Sequence, residues 1–279
     1  MVDFAKKLRE MKRSQQEEAE VAKSPSKAES NEVAQKTGLP EVIDSNYRAL
    51  TVSAEELTKD LVDSVGVQGL KPSDLDKIKV PTGGAEFWSV ETLEGAVPMK
   101  ALEGIILHFK EPRGYWKEKT GVKTPPDCRS DDGITGIGTI ASKFGGNCLS
   151  CPMAQFRTAV NEKGQPAAGQ ACKQKRVLLF LRQDDLIPVL VSLPATSIKN
   201  ARQYFLRLVN NGMKYYGVVT QLRLEKHENA TGDPYSMATL APVRALKPDE
   251  FARVMIIGQA LREMFSQMTV VDIDATDAE

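Results

Sequence analysis

Apolar positions recur along this chain in two rhythms, and the change from one to the other divides it. Phe4, Leu8 and Met11 fall at i, i+4 and i+7 among Lys6, Lys7, Arg9, Lys12 and Arg13, the pattern of a short basic amphipathic helix. Residues 15 to 48 keep no period and are rich in Glu, Lys, Ser, Ala and Gln, so they bury too little to repay ordering and are predicted to be a flexible linker. A helical lead-in is expected over 49–85. Ser53-Ala54-Glu55-Glu56 fits a capping box opening a helix to about Val65, and Ser73 after Pro72 caps a second short turn. From residue 86 the rhythm shortens. EFWSVET, ALEGIILHF, RVLLFLR, IPVLVSL, YYGVVTQLRLE and YSMATLAPV are β-branched and aromatic runs bounded by Gly, Pro and charges, the signature of strands. Between the fourth and fifth, Ile198, Ala201, Tyr204, Phe205 and Leu208 are spaced for a helix that stops at Asn211-Gly212. A last helix is predicted from Pro248 to about Met268.

Strand, strand, a long Gly- and Cys-containing insertion, strands, helix, strands is the element order of an OB-like five-stranded core. The fold class expected is therefore α+β, mainly β: an OB-like domain over 86–246 with a zinc insertion at about 125–175, then a helix over 247–269 and an acidic tail over 270–279. No internal period suggests a repeat architecture.

Charge changes the picture through its placement. The 279 residues carry 37 basic and 37 acidic side chains, so the whole chain favours neither nucleic acid nor membrane. Between Ala141 and Lys226, however, thirteen basic residues face four acidic ones. The last ten residues instead hold Asp272, Asp274, Asp277 and Glu279 with no basic residue. No apolar run approaches the ~18 residues of a membrane span, and the N-terminus has no apolar signal region. A cytoplasmic protein without a membrane partner is expected.

In a reducing compartment four cysteines point to a metal rather than to disulfides. Cys128, Cys148, Cys151 and Cys172 all fall within 45 residues, with 19, two and 20 residues between successive members. The C-x-x-C turn can aim two thiolates at one ion, and the two outer cysteines can close a four-coordinate structural site. Gly145-Gly146 before it and Pro152 after it allow the tight turn. Zinc is the expected ion; four thiolates also suit an iron–sulfur cluster, and spacing does not separate the two. His108 and His227 are read as surface strand residues.

Signs of catalysis are few. There is no phosphate-binding P-loop, Gly133, Gly136 and Gly138 are in the wrong order for a dinucleotide fingerprint, and no nucleophile elbow occurs. Asp131 and Asp132 are adjacent, so their side chains diverge. A non-enzymatic protein is expected.

Alternation along the strands suggests where nucleic acid would bind. With Val177, Leu179 and Leu181 toward a core, Arg176, Phe180 and Arg182 share the opposite face, and Tyr215 and Arg223 lie likewise on theirs. Cations that track phosphates, mixed with rings that stack on bases, suit a single strand. Trp88, Tyr115 and Trp116 add stacking candidates, and Lys110, Lys173 and Lys175 add charge.

The words PPDCRSDDG, GGNCLSCPMAQF, ACKQKRVLLFL and LPATSIKNARQYFLRL resemble an uncharacterised four-cysteine family of bacteriophages and mobile elements over about Phe87 to Leu246. The plan of basic arm, OB-like core with a thiolate zinc site and acidic tail is similar to that of phage helix-destabilising, single-stranded DNA-binding proteins. That resemblance implies self-association through the arm, DNA on the core, and recruitment of replication or recombination proteins through Asp272, Asp274, Asp277 and Glu279. It departs from them in having four cysteines where those sites mix in a histidine. A single-stranded DNA-binding protein acting in replication or recombination is the reading adopted. The alternatives are a zinc-containing protein-interaction or transcription-associated module, and a nuclease using Asp127, Asp131 and Asp132.

Overall fold

The computed structural model describes residues 43–66, 70–117, 125–160, 164–229 and 232–267. The basic arm, the linker up to residue 42 and the acidic tail lie outside these residues. The last stretch assigned to the linker is not loose: Ile43 and Tyr47 are buried in the apolar cluster on one face of the sheet. Helix α1 (Arg48–Thr51) and helix α2 (Ala54–Val65) follow, and the Ser53 Oγ accepts the Glu56 N–H at 3.1 Å, as the capping signal predicts. At the next turn, Pro72–Asp74, the cap is Asp74 rather than Ser73: its carboxylate accepts the Lys71 N–H at 2.8 Å.

Thirteen strands are found among the described residues. The main sheet contains β1 (Lys77–Lys79), β4 (Ala101–Lys110), β10 (Lys173–Arg182), β11 (Val189–Pro194), β12 (Val218–Glu228) and β13 (Pro234–Ala245). Their lateral order is β13-β12-β4-β10-β11-β1, antiparallel except for the β1–β11 pair. β2 (Trp88–Thr92) and β3 (Gly95–Met99) form a separate hairpin. The protein is thus α+β with a mainly antiparallel sheet.

The sheet is buried on both faces. Leu178 and Phe180 of β10 point to one side, under helix α4 (Ala195–Asn210) and Trp88 and Val90 of the hairpin. Val177, Leu179 and Leu181 point to the other, under Ile43, Leu50 and helix α5 (Pro248–Gln267). This is why the run Val177–Leu181 is apolar without alternation, as expected of a strand covered twice. The sheet thus carries one apolar layer on each face. Gly104 lets β4 approach β10 closely: a Cβ there would lie 2.4 Å from the Leu181 carbonyl oxygen and 2.7 Å from the Phe180 ring.

Beyond Lys110 the chain of β4 continues as β5 (Arg113–Tyr115), still along β10, with Lys173 opposite Gly114 and Gln174 opposite Arg113. Here β6 (Cys128–Ser130) and β7 (Ile137–Gly138) add on, followed by helix α3 (Thr139–Lys143) and the hairpin of β8 (Ala159–Val160) and β9 (Pro166–Ala167). These pieces form a lobe at one end of the sheet that includes all four cysteines. No helix among the described residues is long and apolar enough to cross a membrane.

Candidate nucleic-acid interface and cysteine lobe

Helix α4 presents the clearest basic surface. Its buried side is Ile198, Ala201, Tyr204 and Leu208, and the Tyr204 hydroxyl lies 2.8 Å from Thr220 Oγ1 under the helix. Ser197 Oγ accepts the Ala238 N–H at 2.9 Å, fixing the helix on β13. The turn after Asn210 uses Gly212 at φ 68°, with the Met213 N–H returning to the Leu208 carbonyl at 2.9 Å. The outward side carries Lys199, Arg202 and Arg207, all exposed, and the helix contains no acidic residue. No carboxylate among the described residues pairs with any of the three. Leu206 and Val209 on the same helix are also open to solvent.

The residues proposed from strand alternation are dispersed. Trp88 and Phe180 have no exposed surface and are core. Arg176 is buried as well. Its guanidinium packs 4.7 Å from the Phe109 centroid and 5.2 Å from that of Phe205 and bonds the Glu111 carboxylate. Tyr215 is half-buried and stacks on Phe205 with centroids 5.2 Å apart. Arg182 forks onto Asp185 at 2.5 and 2.9 Å across the β10–β11 turn. Lys110 donates to the Ser266 carbonyl at 2.6 Å and so caps the C-terminal end of α5. Tyr115, Trp116 and Lys175 are half-buried where β10 meets the lobe, and Lys173 is exposed there. Arg223 is exposed but sits opposite Ala101, whereas Lys173 sits opposite Gly114. At ~3.3 Å per residue that separates the two cations by roughly 40 Å. They do not share one binding face. The α4 surface was legible in principle: three basic and no acidic residues over 195–210 is a local bias inside the basic segment.

The cysteine lobe is built differently from the sheet. Cys128, Cys148 and Cys172 are buried and Cys151 is half-buried. The Cys148 N–H bonds the Ile134 carbonyl at 2.8 Å and the Cys172 N–H bonds that of Met153 at 2.8 Å, next to Cys151. Cys128 on β6 pairs with Gly138 on β7. Burial pushes the Cys128 thiol up, and pushes Cys172 to about 12, with the other three thiols raising it further and Arg113 opposing. As placed, no group of three or more His, Cys, Asp or Glu side chains among the described residues stands ready to hold a metal ion.

Of the carboxylates of the nuclease alternative, Asp127 and Asp132 serve the backbone. Asp127 accepts the Lys117 N–H at 2.7 Å, and Asp131 lies 4.0 Å from Arg129. Asp132 accepts the Ile134 and Thr135 N–H groups at 2.7 Å each and the Ser130 hydroxyl at 2.9 Å. Burial raises its pKa, but these hydrogen bonds outweigh that and hold it at about 2. Together with Glu111 and Lys110, Asp131 and Asp132 line a cleft of about 450 Å³ between the lobe and the end of β4. Its acidic wall repels phosphate, which leaves the outer face of α4 as the better polyanion surface.

Comparison with known proteins finds no match among family models, curated proteins or solved structures.

Proposed function

We propose that the protein binds single-stranded nucleic acid, with DNA as the preferred strand, and that the outer face of α4 is the primary contact. The observation that carries this reading is a helix whose exposed cations, Lys199, Arg202 and Arg207, have no carboxylate beside them among the described residues. Long flexible cations of this kind track a phosphate backbone by releasing its counterions. Lys173 and Lys175, on β10 just before Arg176, whose guanidinium packs on Phe205 of α4, extend the positive surface toward the lobe. With Trp88 and Phe180 withdrawn into the core, stacking falls to exposed rings. Phe156 on the lobe, 75 % exposed and followed by the exposed Arg157, is the best placed of these. The OB-like expectation enters only as element order, since α4 rather than a barrel face supplies the charge. Replication or recombination remains the setting this reading proposes, with the acidic tail as the contact for partner proteins.

A protein-interaction module is the second reading, favoured by the β2–β3 hairpin, where Leu93 is fully exposed and Val97 and Met99 are open. One measurement separates them. Fluorescence anisotropy with a labelled oligothymidine and the matching duplex, titrated with salt, should show tighter binding to the single strand. The Lys199→Ala/Arg202→Ala/Arg207→Ala variant should lower the salt slope by about 0.7 for each phosphate that is no longer neutralised. Equal binding by wild type and the triple variant, or no binding at any salt, sinks the reading.

A further inference from the structure

The lobe between Pro112 and Cys172 has no apolar core of its own. Both core clusters draw only on residues up to Phe109 and from Val177 onward. Within 125–172 no Val, Ile, Leu, Met or Phe among the described residues is buried, and Ile134, Ile137, Leu149, Phe156 and Val160 are exposed. What is buried there is Cys128, Cys148 and Cys172 with three alanines, Ser130 and Gly133. A segment of this size without an apolar interior needs a covalent or metal cross-link to hold a shape. The cysteines are free of disulfides.

Backbone contacts draw the thiols together in pairs. Cys128 pairs with Gly138 on β7, and a Cβ at Gly136, two residues earlier, would lie 3.7 Å from Cys148 Sγ. The Cys172 amide is bonded to the turn that Cys151 opens. The C-x-x-C loop then joins the two pairs. Gly145 and Gly146, at φ 74° and 73°, allow the chain to turn into that loop.

Arg113 is the second, independent observation. It is 9 % exposed and lies opposite Gln174, two residues beyond Cys172, on one side and opposite Ser130, two residues beyond Cys128, on the other. Side chains two apart on a strand share a face, so Arg113 lies on the same face as both cysteines, two residues along from Tyr115, which is the residue directly opposite Cys128. Its Nη2 donates to Gln174 Oε1 at 2.8 Å, while its Nε and Nη1 are buried with no acceptor in the structure. Buried guanidinium N–H groups are normally satisfied, and thiolate sulfur is an acceptor that would satisfy these.

We propose that Cys128, Cys148, Cys151 and Cys172 bind one zinc ion as a structural tetrathiolate centre, with Arg113 as the buried cation that balances its charge. Four thiols lose four protons on binding Zn²⁺, leaving a centre of charge −2, and the guanidinium offsets half of that. Binding requires the four thiols to close around the ion, since as placed no three of them form a metal-holding group among the described residues. Arg113 acts as a positioning residue, through the sulfurs. The inference is independent of the nucleic-acid reading.

The test uses the full chain. Elemental analysis should find one zinc per chain and neither iron nor sulfide. Replacement by Co²⁺ should produce the absorption bands of tetrahedral cobalt thiolate. Arg113→Met should weaken zinc about 10- to 100-fold in competition with a chromophoric chelator, the range typical of lost outer-shell partners, whereas Arg113→Lys should recover part of that loss. Chelator-treated wild type should become cleavable by protease within 125–172 while the sheet stays protected. A folded chain that holds no zinc and takes up no cobalt overturns the centre, as does iron with sulfide. Arg113→Met with wild-type affinity overturns the role of the arginine.

Discussion

Arg244 and Glu250 form a two-pronged ion pair where β13 passes into α5: Nη1 donates to Oε2 at 2.7 Å and Nη2 to Oε1 at 2.9 Å. Glu250 is 1 % exposed and also accepts the Lys247 N–H at 2.9 Å and the Ser45 hydroxyl at 2.7 Å. One carboxylate therefore ties together the segment before α1, the end of the sheet and the start of α5.

The Arg244 hydrogen bonds are the main cause that holds Glu250 at about 2 instead of its ordinary 4.5. A depressed carboxyl pKa stabilises the fold above the unfolded value and loses that contribution as pH falls through the folded one. Wild type should thus lose stability between about pH 4.5 and 2. Glu250→Gln should cost about 2–3 kcal/mol at pH 7, less than a fully buried pair because Arg244 is over a third exposed. Urea unfolding at several pH values checks this; a wild-type advantage that does not shrink toward pH 2 refutes it.

Arg176 is part of the fold and not of the binding face. Arg176→Ala removes a guanidinium held between Phe109 and Phe205 and leaves Glu111 unpaired. A loss of about 3 kcal/mol is expected, with the salt dependence of nucleic-acid binding unchanged for the folded variant. A change in salt slope without a change in stability would place Arg176 on the interface after all.

Phe180→Ala should cost about 3–5 kcal/mol, the usual range for a fully buried ring. Thermal unfolding measures the loss, and anisotropy below the transition should show unaltered affinity. Selective loss of affinity in a fully stable variant would mean that the ring reaches a base.

Gly104→Ala has no room, since the new methyl would meet the Leu181 backbone at 2.4 Å. Separation of β4 from β10 is the only relief, and a cost above about 3 kcal/mol or failure to fold is expected. A soluble variant with wild-type melting behaviour contradicts the close approach of these strands.

Much of the secondary structure was readable from local pattern. The capping signal at Ser53, the helix under Ile198, Ala201, Tyr204 and Leu208, the last helix, and the six apolar strands all appear close to where periodicity puts them. The strands it missed, among them β1, β3 and β5 to β9, are two to five residues long, too short to show a period, and are defined by partners distant in sequence.

The residues on a common face are another matter. Alternation identifies which side chains of a strand point the same way, but not whether water lies on that side. For Arg176, Phe180 and Trp88, α4 and the β2–β3 hairpin decided that by covering the sheet's second face. The apolar run Val177–Leu181 already carried the warning, because a strand exposed on one side has no reason to be apolar on both. The spacing of the four cysteines named a candidate centre without further help. That Arg113 stands beside it, and that the surrounding lobe lacks an apolar core, follow from the pairing of β5 with β10 and β6, since strand register alone brings residues 113, 130 and 174 side by side.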